Sequence, residues 1–136
     1  MSGINYLAVF LAVIAAWLVG AVWYMALGKS WMTALGKTRE ELTGSSGKPS
    51  VAPFITSFVA ELVMASVLAF FIVQLGPVTL ASGIATGFLA WLGFVATSMV
   101  VNHRFSGARP LLTLIDSGHW LAVLFVEGAV IGAFGM

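Results

Sequence analysis

The chain has 136 residues, of which 60% are hydrophobic and only 8% charged, with a formal net charge of +1. Ordinary soluble domains carry roughly 25% charged residues, so this balance, with a mean hydropathy of +1.05, predicts one integral membrane domain spanning residues 1–136. The absence of cysteine excludes disulfides, thiolate metal sites and cysteine nucleophiles, and six basic residues spread over two loops make no surface for nucleic acid.

The amino-terminal apolar run lacks a basic n-region and exceeds the about 7 to 15 residues of a signal-peptide core, so it reads as a retained helix. That first helix is expected at about residues 4–27, long enough to cross a hydrocarbon core about 30 Å thick. Ala12, Ala16 and Gly20, with Ala8 before them, make a flat stripe along which another backbone can approach. Trp23, Tyr24 and Trp31 follow at its end and read as an aromatic belt at headgroup level. Residues 28–52 hold most of the charge and form the one sizeable solvated loop, where Thr38-Arg39-Glu40-Glu41 is a capping box for a short helix.

A second helix is expected at 53–75, with Pro53 in its first turn, a third at 78–101 and a fourth at 111–134. Gly83 and Gly87, and again Gly128 and Gly132, form two GxxxG pairs that favour close packing. All six basic residues belong to the first and third loops, so the positive-inside rule makes those loops cytoplasmic and puts both termini outside. The expected fold is therefore an all-α, integral membrane four-helix bundle with both ends outward, located in the bacterial inner membrane.

The ionisable residues inside the spans carry the functional reading, because a charged group facing lipid costs about 2.5 to 3.5 kcal/mol on insertion scales. Asp116, His119 and Glu127 share one face of the fourth helix at about 100° per residue. Counting about 1.5 Å per residue from the cytoplasmic helix ends puts Glu61, Asp116 and His119 at similar depth, with Asn102 just below. Asn5, Gln74 and Glu127 fall near the outer boundary, so two polar layers are expected. Glu61, Asp116, His119 and Asn102 form a candidate proton-linked site able to carry or gate protons or a cation. The competing reading is a structural network that fixes helix register, or Asp116 paired with Arg104 or Arg109; Glu127, so near the surface, is read as snorkelling.

No Glu-x-x-His pair occurs as in di-iron bundles, and no metal or other cofactor is expected. Ser117 near His119 is the single serine beside a base, so no catalytic constellation is expected either.

Gly20-Ala21-Val22-Trp23-Tyr24 with Trp31, Asn102-His103 with Phe105, and Leu114-Ile115-Asp116-Ser117-Gly118 together resemble an uncharacterised family of small four-helix membrane proteins, the domain of unknown function 1761. The likeness spans nearly the whole chain. It implies four transmembrane helices and no assigned activity, and it marks Trp23, Tyr24, Asn102 and Asp116 as family-like positions without a role. Two functions remain open at this point: an oligomeric protein that conducts or transports a small solute or ion through the inner polar layer, or a non-catalytic accessory or scaffold subunit of a larger membrane complex. The expected partners are the lipid bilayer and either further copies of the chain or another membrane protein.

Overall fold

The computed structural model describes residues 3–135, apart from the side chain of Ser45. Among them are four helices long and apolar enough to cross a membrane: α1 (Tyr6–Leu35), α3 (Ala52–Leu75), α4 (Leu80–Phe105) and α5 (Pro110–Phe134). A five-residue helix, α2 (Arg39–Thr43), lies between the first two. The fold is an all-helical, multi-pass membrane bundle.

Local chemistry sets the helix ends. Asn5 caps α1, its Oδ1 accepting the Ala8 N–H at 3.1 Å. The helix then runs eight residues past the expected Leu27, through Lys29 and Trp31, because nothing before Gly36 breaks it. Gly36 stops it in the left-handed region (φ 77°), where its N–H reaches back to Met32 and Thr33, a conformation that costs glycine nothing. Thr38 and Glu41 form the reciprocal capping box of α2. Pro53 and Pro110 sit in the first turns of α3 and α5, where a missing N–H is harmless. Thr79 and Ser82 box the start of α4. In mid-span, Trp91–Ala96 winds as a π turn, which the sequence reading did not anticipate.

Helix α5 is the hub, packing against α1, α3 and α4. Its contact with α4 is backbone on backbone: a Cβ at Gly83 would strike the Gly128 carbonyl, one at Gly128 the Gly83 carbonyl, one at Gly87 the Leu124 carbonyl and one at Gly132 the Thr79 carbonyl. The two GxxxG pairs thus face each other and interlock. On α1 the stripe Ala8, Ala12, Ala16 and Gly20 is buried inside the bundle. Val9, Ala12 and Val13 of α1, Ala65, Leu68 and Ile72 of α3, and Leu124 and Ile131 of α5 make one apolar core.

Helix α3 is offset from its neighbours. The Trp17 indole N–H donates to the Phe54 carbonyl at 3.3 Å and the Ser57 hydroxyl at 3.2 Å, and its ring meets Phe58 edge-on. The first turns of α3 therefore lie beside Trp17, about 27 Å along the axis from the end of α1 at 1.5 Å per residue. This shift decides which carboxyls meet.

Candidate functional site

Two polar centres occupy the bundle, and both are built around α5. The lower one gathers around Asp116. Tyr24 donates its hydroxyl hydrogen to Asp116 Oδ1 at 2.7 Å, and its ring lies 4.9 Å from the His119 ring, centroid to centroid. Trp23 on one side of α5 donates its indole N–H to the Ile115 carbonyl at 3.1 Å, and Trp91 on α4 donates to the Ser117 carbonyl at 2.8 Å. Those carbonyls each have a second lone pair beyond their helical bond. Two indoles thus grip the turn that carries Asp116.

Small residues opposite large ones let these rings in. A Cβ at Gly20 would come within 2.8 Å of His119 Nε2, and one at Gly118 within 2.9 Å of the Trp23 ring. Trp23 and Tyr24 are therefore not a headgroup belt. They turn inward because an N–H or O–H in hydrocarbon needs an acceptor, and Trp31 stacks edge-on against Tyr24 at 5.8 Å.

Below this centre, His103 Nδ1 is 2.8 Å from the Thr113 hydroxyl, which also accepts from Arg104 Nη2 at 3.1 Å. Arg104 reaches the Ala108 carbonyl and Arg109 the Thr33 carbonyl, at 3.0 Å and 2.8 Å. Neither arginine takes up the ion pair with Asp116 that the sequence allowed. Asn102 is exposed on α4, outside the centre it was expected to join.

The upper centre is a pair of carboxyls. Glu61 and Glu127 are 1% and 0% exposed, and both lie about 16 Å along the bundle from Asp116: Glu127 is eleven residues on in α5, and Glu61 is four residues past Ser57, which meets Trp17 seven residues from Tyr24. Glu61 Oε2 and both carboxyl oxygens of Glu127 have no hydrogen-bond partner, and neither has Nδ1 of His119. One turn from each carboxyl on its own helix, Ala65 on α3 and Val123 and Leu124 on α5 are buried.

This corrects the expected layers in three respects. Glu61 is level with Glu127, not Asp116: Asp116 is level with Tyr24, whereas Glu61 lies beyond Ser57 and Phe58, which are level with Trp17, a further two turns or about 10 Å along α1. The depth count assumed that both helices start at one level, and the offset of α3 removes that premise. Glu127 does not snorkel: it is 0% exposed inside the bundle. Asn5 is a helix cap and Gln74 lies exposed at the end of α3, so they share no layer with Glu127.

A sequence family described as "Protein of unknown function (DUF1761)" matches residues 7–132. The chain belongs to that family. The DUF1761 match runs through α1 to α5, so both polar centres lie inside it. No curated protein and no solved structure matches the chain. Gly20 and Gly118 were visible in the sequence as small residues, but that they lie opposite His119 and Trp23, so that the DUF1761 aromatic segment faces α5, appears only in the structure. Glu61 and Glu127 carried no comparable mark.

Proposed function

We propose that this chain moves protons across the bilayer, with Glu61 and Glu127 as the central relay, and that it does so as a homo-oligomer. The observation that carries the reading is the pair of buried carboxyls with three unpartnered oxygens. Unpaired polar atoms in hydrocarbon cost several kcal/mol each by order of magnitude, and intramembrane acids without structural partners mark ion or proton pathways. A proton suits this site better than a metal cation. A hard cation such as calcium takes about six to eight oxygens, and two carboxyls among valines, alanines and leucines supply at most four.

The other stations line α5. Thr113 with His103 of α4, Asp116 with Tyr24 of α1, and His119 with its free Nδ1 lead along α5 toward Glu127. From His119 to Glu127 the rise is about 12 Å, a gap that proton transfer would need internal water to bridge. An oligomer would cover α4, of whose most apolar stretch only 6% is buried within one chain.

Proteoliposomes loaded with a pH-sensitive dye test the reading. Wild type is expected to dissipate an imposed pH gradient at least tenfold faster than empty vesicles, and Glu127→Gln and Glu61→Gln are expected to fall to background. Rates unchanged by either substitution would refute it.

The uncovered α4 favours a second reading, an accessory subunit whose partner lies along that helix, where a Cβ at Gly93 would meet nothing within 4 Å. Native purification with mass spectrometry separates the two. A monodisperse assembly of this chain alone would count against the accessory role.

A further inference from the structure

We infer that α1 carries a binding site for one anionic phospholipid, its phosphate held by Lys29, Lys37 and Arg39 and one acyl chain lying along the helix above them. Two adjoining concavities motivate this. The first is a cleft of about 390 Å³ at the basic end of α1, lined by Lys29, Thr33, Gly36, Lys37 and Arg39 among others. The second is an apolar groove of about 500 Å³ formed by Leu18, Val19, Val22, Trp23, Ala26 and Leu27.

The two are in line. Val19, Ala26 and Thr33 are seven residues apart in turn, as are Val22, Lys29 and Gly36. Residues seven apart drift by only about 20° on a helix, so both rows run from the groove into the cleft. From Leu18 to Leu27 the rise is about 14 Å, close to half of a hydrocarbon core about 30 Å thick. The groove therefore has the length of one leaflet, and the cleft begins where the headgroups begin.

The offset of α3 leaves the groove open. Because the first turns of α3 lie beside Trp17, the next two turns of α1 lack that neighbour, and Leu18 and Val22 are 54% and 64% exposed. Charge favours an anion in the cleft: Lys29, Lys37 and Arg39 outnumber Glu40 and Glu41, both exposed on α2 and neither among the residues lining the cleft. Arg39 offers the planar fork that suits phosphate oxygens. A choline or ethanolamine headgroup would set another cation among those three, which favours a headgroup with net negative charge. The apolar groove favours a lipid over free phosphate.

The site is distinct from the carboxyl relay, and its test reads binding alone. Purified protein in neutral detergent is titrated with dioleoylphosphatidylglycerol, dioleoylphosphatidylcholine or glycerol 3-phosphate, with thermal unfolding and native mass spectrometry as readouts. The expected result is a raised Tm and one retained lipid with phosphatidylglycerol, and neither change with the other two probes. Lys29→Gln, Lys37→Gln and Arg39→Gln are each expected to weaken binding about fivefold, from about 1 kcal/mol per basic residue near an anionic surface. Ala26→Phe, which fills the groove and keeps every charge, is expected to abolish retention. An equal response to phosphatidylcholine would overturn the anionic headgroup, and an equal response to glycerol 3-phosphate would overturn the lipid. Unchanged retention in Ala26→Phe would overturn the acyl-chain placement.

Discussion

Replacing Gly128 by alanine tests the interlocked helices most sharply, because two opposing effects can be weighed. Alanine in a helix interior is favoured over glycine by about 0.8 to 1.0 kcal/mol. Against this, the new Cβ would lie 2.8 Å from the Gly83 carbonyl carbon and closer still to its oxygen, where carbon atoms prefer about 3.5 to 4.0 Å. The obstacle is backbone, so no rotamer relieves it and α4 must move away from α5 by roughly 1 Å. Overpacking of this kind costs typically about 1 to 3 kcal/mol. The shift also loosens the approaches at Gly83, Gly87 and Gly132, so the upper part of that range applies and the net loss is about 1 to 2 kcal/mol.

Gly93→Ala supplies the control, since its Cβ meets nothing within 4 Å and only the propensity gain remains. Reversible unfolding of both variants in mixed micelles is the assay. Gly128→Ala should unfold at lower denaturant than wild type and Gly93→Ala at equal or higher denaturant. Equal stability of the two variants would show that the backbones do not touch as described.

The carboxyl pairing is checked by double-mutant cycles. Glu61→Gln with Glu127→Gln should deviate from additivity by more than 0.5 kcal/mol, as neighbours do, while Glu61→Gln with Asp116→Asn should add within about 0.3 to 0.5 kcal/mol. Tyr24→Phe removes the hydroxyl bound to Asp116 and should destabilise the protein by about 0.6 to 1.7 kcal/mol, the range for interhelical hydrogen bonds in bilayers; no change in unfolding would deny that bond a stabilising role. For topology, a cysteine at position 37 should resist a membrane-impermeant maleimide in intact cells and one at position 76 should label, with the reverse pattern overturning the orientation.

Hydropathy alone made the four spans legible, and the shared face of Asp116 and His119 followed from helical periodicity. The glycine pairs were visible as motifs, but which glycine met which was not. Partnering across helices was hidden for a physical reason: depth was counted from helix ends, and no local signal tells how far one helix is displaced along another. Trp17 fixes that displacement through Phe54 and Ser57, a contact between residues forty positions apart with no sequence signature. Trp23 and Tyr24 were misplaced because an aromatic ring near a helix end satisfies the belt rule whether it points to headgroups or to α5. Their hydrogen-bond donors decide the matter, and only the position of the Ile115 carbonyl and Asp116 shows where those donors go.

The π turn at Trp91–Ala96 makes α4 two rods on one shaft. The first rod is keyed to α5 by glycines and ends at Trp91; the second is keyed by His103 and Arg104 to Thr113. A π turn accommodates one residue more than an α turn, so it works as a phase adjuster between two keys cut at different angles. Winding every residue of this stretch as an α-helix would rotate the second rod by about 100° and carry His103 off Thr113, whereas deleting Gly93 would let α winding replace the π turn with both keys still seated. The π turn thus lets α4 hold one residue more than its two keys require while both stay in angular phase.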